Sequence, residues 1–336
     1  MREGITFGFW ENLRSRAPFF VMAPLADVTD CAFRQIIGKY SRHGEVGGGP
    51  DVFWTEFVSA DGLASPKGRE ALMIDLKYSP NERPIVAQLF GSNIENMEAA
   101  AKLCAELGFD GIDINMGCPD KSIIKQCAGA AHIKDPDHAV EIIEAAKRGA
   151  PNLPVSVKTR LGFNRDEYET WIPKLLSADI AVLTIHGRTM KEMSLVPARW
   201  DDIARVVDIV RNSGKGTLVI GNGDARDLAD GVAKAKASGV DGVMFGRAIF
   251  GNPWLFDKEK KSVSIEEKLR VMLEHTKLFV DMLGDRKNFS IMKKHYKAYV
   301  NGFDGAKELR VRLMDAEDYE TIESITSEFL HSFRHS

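Results

Sequence analysis

A cysteine stands just beyond an apolar, strand-like run, in the stretch Asp113-Ile114-Asn115-Met116-Gly117-Cys118-Pro119. Gly117 before it allows close approach and Pro119 after it ends regular structure, so Cys118 sits on a loop. A thiol near its reference pKa of about 8.5 is mostly protonated at neutral pH and can deliver a proton. No histidine follows at an obvious partner position, which disfavours a nucleophile. Cys31 and Cys104, inside helical patterns, read as small apolar fillers, and Cys127 reads as packing. Lys158 and Arg160 are two apart on another strand-like run and so point to the same side. A buried lysine is costly unless an anion lies beside it. That anion is either an inner carboxylate such as Asp113 or a bound group. Further on, Gly221-Asn222-Gly223-Asp224 and Gly246-Arg247 offer backbone amides free of side-chain bulk and one guanidinium, which suits a phosphate monoester. The N1 edge of a reduced flavin is an anion that a strand lysine matches, so FMN fits the combination better than a sugar phosphate. His186 either hydrogen-bonds that flavin or caps its strand. The four cysteines lack metal-site pairing, and no metal is expected.

These residues need a frame that gathers strand ends. Short apolar runs recur at Phe19 to Ala23, Val52 to Thr55, Ile85 to Leu89, Gly111 to Asn115, Val155 to Thr159, Val182 to His186, Leu218 to Gly221 and Gly242 to Phe245. Helical patterns such as Ile94 to Leu107 and Pro136 to Arg148 separate them, and this alternation predicts a parallel sheet. Eight such units close an α/β (βα)8 TIM barrel, whose chemistry comes from the carboxyl ends of its strands. Those ends carry Pro24, Glu56, Gln88, Asn115, Lys158, His186, Asn222 and Gly246. Beyond residue 256 no strand is evident. Helices are expected over Ile265 to Leu283, Ser290 to Val300 and Tyr319 to Phe333, so residues 1–256 read as the barrel and 257–336 as a C-terminal all-helical domain. Arg42 to Pro50 reads as a flexible loop, and Glu56 to Pro66 as a mobile lid.

At 336 residues and 44% hydrophobic the chain can bury a large core. The formal net charge of −3 gives no global pull toward nucleic acid. The C-terminal helices nevertheless hold a basic stretch containing Arg286, Lys287, Lys293, Lys294, Lys297, Lys307, Arg310 and Arg312, with His295, Tyr296 and Tyr299 interleaved. A charge run of this kind is equally a solvated face or an RNA surface. No leader-like segment or long apolar span is read, so a cytoplasmic protein without a membrane partner is expected, and a monomer.

Taken together, the motifs resemble the tRNA-dihydrouridine synthase family. The resemblance rests on Met22 to Asp30, Gln88-Leu89-Phe90-Gly91, Asn115 to Pro119 with Lys121, Gly129-Ala130, Lys158-Thr159-Arg160, His186-Gly187-Arg188-Thr189, Gly221 to Asp224 and Gly246-Arg247-Ala248. It implies an FMN enzyme that uses NADPH to reduce the C5=C6 bond of uridines in tRNA, with Cys118 as the acid at C5. It places flavin contacts on Pro24, Leu25, Ala26, Gln88, Asn115, Lys158, His186, Asn222, Gly223, Asp224, Gly246 and Arg247. It places tRNA contacts on Arg160, Lys293, Lys294, His295, Lys297 and Tyr299. No dinucleotide fingerprint is present. After Thr189 the chain departs from the family, which often continues with Gln and then Gly-Tyr where this sequence has Glu192, Met193 and Ser194. Two other readings compete: a flavin barrel acting on a small pyrimidine, which would not require the basic helices, and a tRNA-binding module without catalysis, against which Cys118 and Lys158 argue.

Overall fold

The computed structural model describes residues 4–334. Eight parallel strands form one sheet: β1 (Phe19–Met22), β2 (Phe53–Ser59), β3 (Ile85–Phe90), β4 (Gly111–Met116), β5 (Val155–Arg160), β6 (Val182–His186), β7 (Leu218–Asn222) and β8 (Gly242–Phe245). Their order is β1-β8-β7-β6-β5-β4-β3-β2, and a parallel bridge between Val21 and Val52 joins the two end strands. This is the (βα)8 TIM-barrel arrangement, with helices between strands and further helices after β8. The strands are buried on both faces, which is why they read as continuous apolar runs rather than as alternation.

An apolar inner cluster of Phe19, Val21, Trp54, Val86, Val182, Leu218, Ile220 and Met244 packs together with Trp10. The Trp10 ring lies 5.8 Å from Trp54 and 5.9 Å from Phe19, so the short Trp10–Arg14 helix plugs the amino-terminal end of the barrel. Open space is left at the carboxyl ends of the strands, where the polar residues gather.

Two connections differ from expectation. Arg42 to Pro50 is not slack: Arg42 pairs with Glu45, Asp257 and Glu259, and the Gly47 carbonyl accepts from Lys258 N at 3.0 Å. Both His43 ring nitrogens meet carbonyls, those of Pro50 at 2.7 Å and Arg83 at 2.8 Å. The residues after Glu56 are not a loose lid either. β2 runs on to Ser59, and the helices Ala60–Ala64 and Pro66–Leu72 follow, capped by the side chains of Ser59 and Ser65.

The C-terminal helices are Ile265–Leu283, Met292–Tyr299, Ala306–Asp315 and Tyr319–Arg334. The third was not expected, because its polar sequence reads as part of the basic stretch. Residues of these helices share a core with the barrel helix Cys31–Tyr40. Phe33 stacks on His275 at 5.0 Å and lies 4.7 Å from His295, and the two imidazoles are 4.5 Å apart. Both histidines are fully buried, and burial lowers both pKa values, that of His295 to about 3. The sign follows from linkage: the unfolded chain takes up these protons below about 6.5 and the folded chain does not, so stability is full above that pH and declines as pH falls through it. Each histidine is expected to cost about 2 kcal/mol at pH 5. Urea midpoints at pH 7.5 and 5 check this, with His295→Phe showing a smaller drop than the parent; an equal drop would refute it.

Candidate active site

The cavity at the carboxyl end of the strands has a volume of about 300 Å³, at the lower end of small-molecule sites. It brings together Pro24, Leu25, Asn115, Cys118, Lys158, Arg160, His186, Asn222, Gly223, Asp224, Gly246 and Arg247. Phe57, Arg188 and Ser194 also line it. Of these three, Phe57 was missed because β2 was read as ending at Thr55. Its ring lies 5.6 Å from Phe90, edge on.

The Cys118 loop is fixed by polar groups running beneath it. Asp113 accepts from Ser156 Oγ at 2.6 Å and from Gln88 Nε2 at 2.5 Å. Gln88 Oε1 in turn accepts from Asn115 Nδ2 at 3.0 Å. Asn115 Oδ1 accepts from the backbone amides of Gly117 at 3.1 Å and Cys118 at 2.9 Å. The Cys118 carbonyl takes Ala130 N at 3.1 Å. A Cβ on Gly129 would come within 2.9 Å of that carbonyl, and its φ of +60° also favours glycine. The Cys118 amide and carbonyl hold the loop and the Asp120 amide donates to the sulfur, while the S–H proton itself stays available for chemistry. Burial pushes the pKa of the thiol up and keeps the group protonated.

Lys158 is the decisive electrostatic element. It makes no hydrogen bond or ion pair among the described residues, and both Asp113 oxygens are taken by Ser156 and Gln88. Direct pairing with Asp113 is therefore not its role. Desolvation first, and then the Arg160 charge, lower its pKa to about 8. Arg160 Nε donates to the Gly117 carbonyl at 2.7 Å and its Nη1 to the carbonyls of Thr189 and Met193, both at 3.1 Å. It ties the Cys118 loop to the loop after β6, and among the described residues no carboxylate forms an ion pair with it. His186 Nε2 lies 3.0 Å from Arg188 Nη1, so that nitrogen accepts and the proton resides on Nδ1. Burial and the surrounding cations keep the ring neutral.

At the last two strands, Gly223 has a φ of +128°, and a Cβ there would meet Ala198 Cβ at 2.6 Å. A Cβ on Gly246 would meet only Ala23 Cβ, at 4.0 Å, so the backbone there borders open space. Asp224 links Arg188, Arg247 and the Ala198 amide. Burial alone would raise its carboxyl; the hydrogen bonds from Arg188 and Ala198 and the Arg247 charge bring it below the usual range. The following helix Leu228–Ser238 is capped by Asp227, whose side chain takes the Asp230 amide.

Several expected site residues lie elsewhere. Gln88 is fully buried and acts on Asn115 rather than facing the cavity. Ala26 is exposed and outside the cavity lining. His295 and Tyr299 are wholly buried among aromatic rings and cannot reach an RNA. The reason is helical phase: Met292, His295, Tyr296 and Tyr299 form the inward stripe of their helix, while Lys294 and Lys297 are exposed and Lys293 is half-buried. Lys294 Nζ lies 3.3 Å from Asp27 Oδ2. Lys287 is buried against Glu56 at 2.6 Å and Asp75 at 2.7 Å, so it belongs to the packing and not to a phosphate surface. Cys127 is exposed, with a φ of +56°, and does not pack. Among the described residues no His, Cys, Asp and Glu cluster is arranged to hold a metal, and no helix is long and apolar enough to cross a membrane.

The family model described as dihydrouridine synthase matches residues 21–333. The chain belongs to the dihydrouridine synthase family. Within that family it is similar to the probable tRNA-dihydrouridine synthase of Staphylococcus aureus (strain MRSA252), 39% identical over 323 residues that cover 96% of this chain and 95% of that one. It is also similar to the probable tRNA-dihydrouridine synthase 2 of Bacillus subtilis (strain 168), 38% identical over 327 residues covering 97% of each. More distant solved structures share the barrel alone with this dihydrouridine synthase family member. A 2-naphthoyl-CoA reductase complex matches at a TM-score of 0.51 with 11% identity, covering 71% of this chain and 49% of that one. A histamine dehydrogenase from Rhizobium sp. 4-9 matches at 0.50 with 11% identity, covering 77% and 48%.

Proposed function

We propose that this protein reduces the C5=C6 bond of uridines in tRNA, with FMN as resident cofactor and NADPH as reductant. The observation that carries the reading is one cavity bordered both by an unpaired, half-buried lysine and by a protonated thiol, in a chain whose close relatives are named for this reaction. The residues fit the cofactor. Lys158 offers an ammonium to an anionic ring edge, and the space beside Gly246, with Arg247 and Gly223 close by, suits a phosphate. Pro24, Leu25, Asn115, His186, Asn222 and Asp224 complete the wall. When bound, FMN supplies the hydride for uracil C6, having been reduced by NADPH.

The chain supplies the rest. Hydride arriving at C6 leaves an electron pair shared between C5 and the C4 carbonyl oxygen, and the positive wall of Lys158 and Arg160 stabilises that charge. Cys118 Sγ–H gives its proton to C5, completing the single bond; the thiolate is reprotonated from solvent. Asn115 and Arg160 hold the loop that aims the thiol. A stacked base cannot enter such a cavity, so the nucleotide is turned out of the RNA first.

The test is direct. Purified protein is expected to be yellow and, with NADPH, to introduce dihydrouridine into unmodified tRNA transcripts, read by mass spectrometry of the digested RNA. A protein that takes up no FMN and leaves every uridine intact would end this reading. The outward lysines of the Met292–Tyr299 helix provide a second check. Changing Lys293, Lys294 and Lys297 together to Gln is expected to weaken tRNA binding and to lower the salt slope by roughly 2 to 3. An unchanged slope in a filter-binding titration would move the RNA surface elsewhere.

A further inference from the structure

We infer that the loop tip Met193-Ser194-Leu195-Val196 is an apolar wedge that occupies the RNA stack when the target nucleotide is turned out. The inference rests on the tRNA reading above. Leu195 is 82% exposed, Met193 49% and Val196 37%, while Ser194 between them borders the cavity that contains Cys118. Neighbouring large apolar side chains left in solvent at a cavity rim mark a contact surface.

The tip is rigidly presented. Arg160 Nη1 donates to the Met193 carbonyl at 3.1 Å, and Arg188 Nε donates to the Val196 carbonyl at 2.5 Å. Leu195 N donates to Glu192 O at 2.9 Å, and the Glu192 carboxylate is held by Thr189 N at 2.7 Å and Arg199 Nη1 at 2.6 Å. Met193 adopts a φ of +51°, a conformation that an L side chain takes only where its surroundings impose it. The backbone is thus fixed by two arginines of the cavity wall, while the apolar side chains it carries stand in solvent.

The surroundings indicate the occupant. Lys191 at the base of the tip is exposed, as are Lys134 and, two residues beyond Phe163, Arg165. Lys191 N donates to the Phe163 carbonyl at 2.9 Å, and Lys134 Nζ sits 3.8 Å over the Phe163 ring. Arg199 takes up the nearby carboxylates Asp166 and Glu192. An apolar point flanked by cations, continuous with a cavity for one base, matches a polyanion whose stack must be opened. Apolar wedges between bases are a known means of holding such an opening. Three side chains are far too few for a stable protein interface, which needs on the order of 1,200 Å².

The test first maps the uridine that the parent protein reduces in a folded tRNA transcript. Leu195→Ser and Leu195→Ala are then compared with the parent on that tRNA and on the same tRNA carrying an abasic site beside the mapped uridine, where little stacking remains to be broken. The expected result is a loss of about tenfold in kcat/KM on the intact tRNA, near-parental activity on the abasic one, and rescue by Leu195→Met. Equal loss on both RNAs, no loss on either, or a change in oligomeric state on size-exclusion chromatography would overturn the wedge. None of these outcomes touches the reaction itself, which fails only if the parent protein forms no dihydrouridine.

Discussion

Cys118→Ala is expected to lower dihydrouridine formation by about 10²- to 10⁴-fold, the usual contribution of a positioned acid, while leaving flavin content and tRNA affinity unchanged. The loop is held mainly through the Cys118 amide, which donates to Asn115, and its carbonyl, which accepts from Ala130; the sulfur adds only an acceptor for the Asp120 amide. Removing Sγ therefore removes the proton donor without releasing the backbone. Parental activity depends on the protonated form, so the rate falls as pH rises through the thiol pKa. Because burial raises that pKa, the fall comes at more alkaline pH than for an exposed thiol. Single-turnover measurements, with flavin oxidation followed on tRNA addition, separate this step from binding. Full activity in the variant would remove the acid role, and loss of flavin together with activity would make the residue structural.

Much of this site was legible from residue types at strand ends. Cys118, Lys158, Arg160, His186 and the two glycine turns all converge on one cavity, because a parallel barrel brings every carboxyl end to the same face. What escaped the sequence depends on partners far away along the chain. β2 was read short because Glu56 interrupts its apolar run. That carboxylate is tolerated inside because Lys287, 231 positions later, pairs with it and the Asp27 amide donates to it, and even so burial holds its pKa at about 7. Gln88 sits at a strand end yet faces inward to Asp113 and Asn115, an orientation set by barrel register rather than by composition. Arg42 to Pro50 looked slack for its glycines, whereas its stiffness comes from Asp257 and Glu259. His295 and Tyr299 were grouped with neighbouring lysines by proximity, although a period of 3.6 puts them on the opposite side of the same helix.

Lys158→Met is expected to give a protein that purifies with little or no flavin yet is at least as stable as the parent stripped of cofactor. The parent lysine is half-buried at the cavity wall without an ion-pair partner among the described residues, and its pKa of about 8 lies well below that of a free amine. The unfolded chain holds this proton up to about 10.4 and the cofactor-free folded chain only to about 8, so the charge destabilises the fold at neutral pH. The cost is of order 1 to 3 kcal/mol, allowing for the opening of the cavity to solvent. A methionine of similar length removes that cost together with the attraction for an anion. In the parent, anion binding holds the proton on, so flavin release is expected as pH rises beyond about 8, while the variant shows no such step. Anaerobic equilibrium dialysis against reduced FMN at pH 7 and at pH 9.5, with flavin read from its visible absorbance after reoxidation, measures both effects, and thermal melts of the stripped proteins measure the third. Lys158→Arg keeps the charge but not the compact ammonium and is expected to bind with intermediate affinity. If the methionine variant retained a full complement of flavin with unaltered pH dependence, the positive charge at this strand end would have no part in holding the cofactor.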